Sequence, residues 1–140
     1  MLLRRIPLIS APVGAYARTD HPLAGRDQIQ WRDLETWPIV TMRAGTVMWE
    51  TLHRHVAAPD VVVQAMSART VKVMVGQGAG VGILARFDTS ADIADVVWLP
   101  LSDADPVHLC LTQRQDSRPS PSALIVRRLI RARAGELTVS

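Results

Sequence analysis

Short apolar runs bounded by turn residues alternate along this chain with stretches whose apolar positions recur at helical spacing. Val13 to Ala17 predicts a short strand, reached through an extended segment that Pro7 and Pro12 interrupt. Asp20 to Arg26 is a turn-rich connector with Pro22 and Gly25 as breakers. Gln30 to Glu35 predicts one short helical turn and Pro38 to Met42 a buried strand. Val47, Met48, Thr51, Leu52 and His55 then fall on one helical face, predicting an amphipathic helix over Val47 to Val56 that starts at Gly45-Thr46.

The same order returns further on. Asp60 to Gln64 holds a Val-Val-Val run, Ser67 is a good N-cap, and Ala68 to Val75 predicts a helix ending at Gly76. Strands are expected at Val81 to Ala85, Val96 to Leu99 and Val107 to Thr112, the last two separated by the turn-like Ser102 to Pro106. Pro119-Ser120-Pro121-Ser122 signals a helix start, and Ile125, Val126, Leu129 and Ile130 give the helix to about Arg133 an apolar face. Strand-helix alternation of this kind predicts an α/β fold, most simply with a largely parallel sheet.

Composition narrows the class. With 140 residues, 48% hydrophobic and 21% charged, the chain supports one compact core, and its apolar runs are too short to span a bilayer. The lone cysteine, Cys110, cannot close an intramolecular disulfide, which points to a reducing, cytoplasmic setting. The N-terminal segment lacks the uninterrupted apolar core of an export signal. The net charge of +3 is concentrated at one end, because residues 107 to 140 carry six arginines against Asp116 and Glu136. Arg127, Arg128, Arg131 and Arg133 read as a solvated helix face, so no specific DNA binding by this chain alone is expected.

No motif supports an enzyme. Gly76 to Gly82 is glycine-rich but has Val81 and Ile83 where a dinucleotide fingerprint needs glycine, and it follows a helix and precedes a strand. It reads as a helix stop and a tight turn. His108 and Cys110 are two apart on a strand, about 7 Å, too far for direct proton transfer, and read as a packed His beside a buried Cys. His53 and His55 diverge on a helix, and with one cysteine no metal site and no cofactor is expected.

The loops where strands give way to helices carry more information, since in an open α/β sheet they converge at one edge. Met42 to Thr46 and Ala65 to Ala68 each combine backbone N–H groups, a hydroxyl and the positive end of a helix dipole. Arg43, Gly45 and Thr46 from one loop and Ser67 from the next are the candidate anion-binding residues, with Gln64 and Arg86 as neighbours at strand ends. Capping alone also accounts for Thr46 and Ser67.

Several strings resemble the effector-binding region of LysR-type transcriptional regulators. His21-Pro22-Leu23-Ala24 resembles that family's HPLA connector, and Trp31-Arg32-Asp33-Leu34 with Pro38-Ile39-Val40 its short helix and following strand. Ser67 and Val75 to Ile83 resemble its serine followed by V-x-x-G-x-G-[IV]. Arg114-Gln115-Asp116 with Pro119 to Ser122 resembles its terminal R-x-D-x-P-x-S-P-A and closing helix. Arg86 stands where a proline is common, and the segment between His55 and Val61 is shorter than usual.

The resemblance implies a periplasmic-binding-protein-like (type 2) effector domain with one complete α/β subdomain, 25 to 105, and part of another, 1 to 20 with 107 to 140. It implies an effector-sensing module for a small organic molecule, a carboxylate being the best guess, without the winged helix-turn-helix, and homo-oligomerisation through effector domains in the full-length family. The alternative is a free-standing small α/β enzyme or exported solute-binding protein. Under the resemblance, the strands at Val13 to Ala17 and Val107 to Thr112 are expected to expose an edge.

Overall fold

The computed structural model describes residues 2–87, 93–115 and 118–136. The chain divides into two compact units: a central one, Pro12–Asp105, and a terminal one made of Met1–Ala11 and Pro106–Ser140.

The central unit is built on a five-stranded sheet. Its strands are β2 (Val13–Arg18), β3 (Pro38–Met42), β4 (Asp60–Ala65), β5 (Val81–Ala85) and β6 (Val96–Pro100), in the order β4-β3-β5-β2-β6. β3 runs parallel to β4 and β5, whereas β2 runs antiparallel to β5 and β6. The sheet is therefore mixed, a correction to the expected largely parallel arrangement. Strand direction is set by the route of the connections, and apolar runs such as β2 and β6 carry no mark of it.

Helices cover both faces. α2 (Ala68–Gly76) lays Val71 and Val75 on Tyr16, Val40, Ala65 and Leu84. α1 (Val47–His55) buries Met48 and Leu52 and contacts β3 and β5. Ile39, Val81 and Ile83 alternate with the residues under α2 and are fully buried, so they belong to the opposite face. The helices begin where the sequence indicates: the Thr46 hydroxyl accepts from Trp49 N–H at 3.3 Å, and that of Ser67 from Thr70 N–H at 3.2 Å. α2 stops as its glycines predict. Gly78 adopts φ +86°, a conformation that disfavours residues with a Cβ, while Ala79 N–H closes back on Met74 O at 3.1 Å.

β2 overturns one expected boundary. Assigned from sequence to the segment 1 to 20, it instead lies inside the central sheet between β5 and β6, with Val13 to Ala17 all buried. A strand apolar on both faces needs cover on both. The unit boundary falls at Ala11/Pro12, and β2 exposes no edge.

In the terminal unit, β1 (Leu3–Ala11) pairs antiparallel with β7 (Val107–Arg114), from Leu3↔Arg114 to Ala11↔Val107, with an irregularity between Pro7 and Ile9. Pro7 has no N–H to give the ladder. α3 (Pro121–Glu136) starts with the Ser120 hydroxyl accepting from Ala123 N–H at 3.1 Å. Ala134 is its only buried residue, and the apolar face predicted for it is open to solvent, Leu129 by 63% and Ile125 by 58%. His108 is exposed and Cys110 half-buried, which corrects the reading of a packed histidine beside a buried thiol. Asp116, part of the terminal motif, lies outside the described residues.

Candidate functional site

Parallel pairing of β3 with β4, in register Met42↔Ala65, brings the loops that follow them out at the same edge of the central sheet. Two hydrogen bonds join the loops. Arg43 N–H donates to Ala65 O at 3.0 Å, and Ala44 N–H donates to the Gln64 side-chain oxygen at 3.3 Å. Gln64 thus acts as a clamp between the loops, a role that its place at a strand end hinted at but did not specify.

The first loop makes a tight corner. Gly45 has φ +91° with open space where a Cβ would stand, so the backbone conformation calls for glycine there. Thr46 holds the corner from within: its hydroxyl donates to Arg43 O at 2.7 Å and accepts from Trp49 N–H. In the second loop the Ser67 hydroxyl is shared with the Thr70 hydroxyl at 2.9 Å while it caps α2. Thr70 went unnoticed in the sequence, where it is one polar residue in a mixed helical turn.

Both candidate hydroxyls are therefore engaged in capping, and what the edge offers an anion is chiefly backbone. First-turn N–H groups of α1 and α2, with no intrahelical acceptor, and two positive helix ends face the same edge, where Arg43 is exposed. Arg43, Gly45, Thr46, Gln64 and Ser67 come together in this way. Arg86 does not join them. It follows β5 at the same edge, but its guanidinium lies over the Trp98 ring on β6 at 5.3 Å, two strands further from β3, and its N–H donates to Pro12 O at 2.9 Å.

The histidines of α1 turn inward on their own helix. His53 Nδ1 is 2.8 Å from Trp49 O and His55 Nδ1 2.9 Å from Thr51 O; the His55 ring stacks on Trp31, and the His53 ring lies tilted against Trp49. Among the described residues no group of three or more His, Cys, Asp or Glu is placed to hold a metal ion. Elsewhere, a groove of about 400 Å³ between β7 and α3 is lined by Leu111, Pro119, Ala123, Val126 and Ile130 with Arg127.

The model of the LysR substrate binding domain matches residues 2–135. This chain belongs to that family. The HTH-type transcriptional regulator cbl of Klebsiella aerogenes is 31% identical over 107 residues, which are 71% of this chain and 34% of that regulator. HinK, a LysR family transcriptional regulator from Pseudomonas aeruginosa, superimposes with a TM-score of 0.80 at 21% identity, over 97% of this chain and 50% of HinK. The effector binding domain of QuiR in complex with shikimate gives a TM-score of 0.84 at 14% identity, over 98% of this chain and 68% of that domain. The chain thus spans a third to a half of the length of the regulators it matches. Its fold is the periplasmic-binding-protein-like α/β fold of LysR effector domains, and the family is one of regulators. No helix is long and apolar enough to cross a membrane among the described residues.

Proposed function

We propose that this LysR substrate-binding domain takes a small organic acid at the edge formed by Arg43, Gly45, Thr46, Gln64 and Ser67, as a regulatory effector and not as a substrate for turnover. The observation that carries this reading is the joining of two helix N-termini by the Arg43–Ala65 and Ala44–Gln64 hydrogen bonds, which fixes two sets of backbone donors side by side beside an exposed guanidinium. The shikimate seen with the QuiR domain is itself a carboxylate, which supports the ligand class. The central unit, Pro12–Asp105, corresponds in this reading to one effector subdomain and the terminal unit to part of a second. The regulator to which such a domain contributes is cytoplasmic and homo-oligomeric, and DNA recognition resides in residues other than these.

Contacts from one subdomain alone hold a small ligand weakly, with a Kd of about a millimolar. Chemical-shift mapping of the chain with a panel of organic acids, shikimate included, tests the site. Perturbations clustered at residues 43 to 46 and 64 to 68 are expected. Responses confined to the arginines of α3 reduce the effect to general electrostatics and withdraw the site.

A further inference from the structure

The His21-Pro22-Leu23-Ala24 connector lies at the end of the central sheet remote from the candidate anion site, because β2 runs antiparallel to β5 and ends at Arg18 beyond the start of β5. It folds as a single 3-10 turn, Pro22–Gly25. Pro22 has no N–H, so the first donor of the turn is that of Leu23, and it points at His21 Nδ1 at 3.1 Å. Leu23 is buried and pins the turn to the core. The His21 ring is half-buried and meets Trp37 edge-on, with centroids 4.6 Å apart. Accepting from Leu23 requires a lone pair on Nδ1, which places the ring proton on Nε2.

We propose that His21 is a proton-operated latch: the neutral imidazole closes the Asp20 to Arg26 connector by capping Leu23, and its protonation opens it. A proton on Nδ1 sets two donors against each other, so the ring has to leave the cap and its place on Trp37. Burial lowers the pKa of His21, outweighing the pull of Asp20 in the other direction.

The surroundings do not neutralise that proton. A cavity of about 250 Å³ beside the ring is lined by Arg18, Asp20, Val75, Gly78 and Gly80. Asp20 and Arg18 are the charged groups facing it, and they are paired with each other at 3.0 Å. The end of α2 and the turn after it bring no titratable side chain to the cavity. Lys72, a turn earlier in α2, has its ammonium over the Tyr16 ring at 4.8 Å. Asp95 reaches the connector through its carbonyl oxygen, which accepts from Thr19 N–H at 2.9 Å. Opening would free the wall that His21 and Pro22 give this cavity, making a proton input to the domain separate from the effector edge.

Amide hydrogen exchange of the intact chain, corrected for the intrinsic pH dependence, reads the latch at Leu23 and Ala24, with Val40 in the sheet as reference. Exchange at Leu23 and Ala24 is expected to rise about tenfold relative to Val40 between pH 7 and pH 5. His21→Asn offers a side-chain oxygen that caps without titrating, so it should keep the protection at pH 7 and lose the rise. A rise of the same size in His21→Asn, or none in the intact chain, overturns the proposal. Should the variant not fold, ring and amide titrations of the unaltered chain decide. The Leu23 amide shift must follow the midpoint of the His21 ring, and that midpoint must lie below its value in the urea-unfolded chain; failure of either condition also overturns the latch.

Discussion

The two units use the same kinds of element to different effect. In Pro12–Asp105, two nine-residue helices lie on opposite faces of five strands, and Leu52, Val71, Val75, Ile39 and Ile83 are fully buried. In the terminal unit a sixteen-residue helix and a long two-stranded ladder bury, among the described residues, only Ile6, Ala11 and Ala134. Helix length and strand length do not make a core. A sheet with a helix on each face closes around its apolar side chains, whereas a hairpin-like pair with one helix leaves them facing water, an arrangement of marginal stability.

The comparison breaks most readily at paired leucines. Leu52→Ala removes a fully buried side chain from under α1 and should cost about 2–5 kcal/mol in thermal or urea unfolding. Leu129→Ala, on the open face of α3, should stay within about 0.5 kcal/mol. Equal losses would mean that a second copy covers α3 in solution. That possibility has its own measurement: the open face, with Ile125, Val126 and Leu129 each more than half exposed, is expected to drive association that rises with concentration in sedimentation velocity. Leu129→Glu should suppress it, and a monodisperse unaltered chain at high concentration would show the face to be innocuous.

Smaller effects sharpen the picture within the central unit. Thr46→Ala and Ser67→Ala each remove a helix cap and should cost about 1 kcal/mol, while Ser67→Gly costs only a few tenths. If the caps also serve an anion, the alanine variants lower organic-acid affinity beyond what the lost stability explains. The smallest effect is acid-linked. Asp33 accepts from Gln30 N–H at 2.8 Å, and that bond, aided by Arg26 at 3.0 Å and opposed by desolvation, holds its pKa below the usual carboxylate value. Its contribution is therefore present above about pH 4, the unfolded value, and fades as pH falls through the lower folded one. Asp33→Asn should lower stability at pH 7, where the ionised carboxylate contributes, and flatten the profile in that acid window, so that the variant and the unaltered chain converge as pH falls.

Local signals were legible where the physics is local. Thr46 and Ser67 as caps, Gly78 as a stop, and β3 and β5 with their bounds are all governed by residues within a turn of each other. The placement of β2 was not, since the same five apolar residues suit an edge or a centre, and only pairing with β5 and β6, more than sixty residues away, decides it. Likewise the stripe on α3 announces a face to be covered without naming its cover. Of the candidate site, the two loops were readable from strand-helix order, but the Gln64 clamp and the turning of Arg86 toward Trp98 depend on contacts between distant segments.

The register Leu3↔Arg114 also bears on how the chain is made. Everything needed for the central sheet leaves the ribosome before any of β7 does, so that unit can fold while synthesis continues. β1, which emerges ahead of the central unit, must meanwhile wait for a partner about a hundred residues behind it, and closing so long a loop is slow. During that interval β1 is an unpaired apolar strand, which makes it the natural place for a chaperone to bind the nascent chain and for misassembly to begin when synthesis stalls.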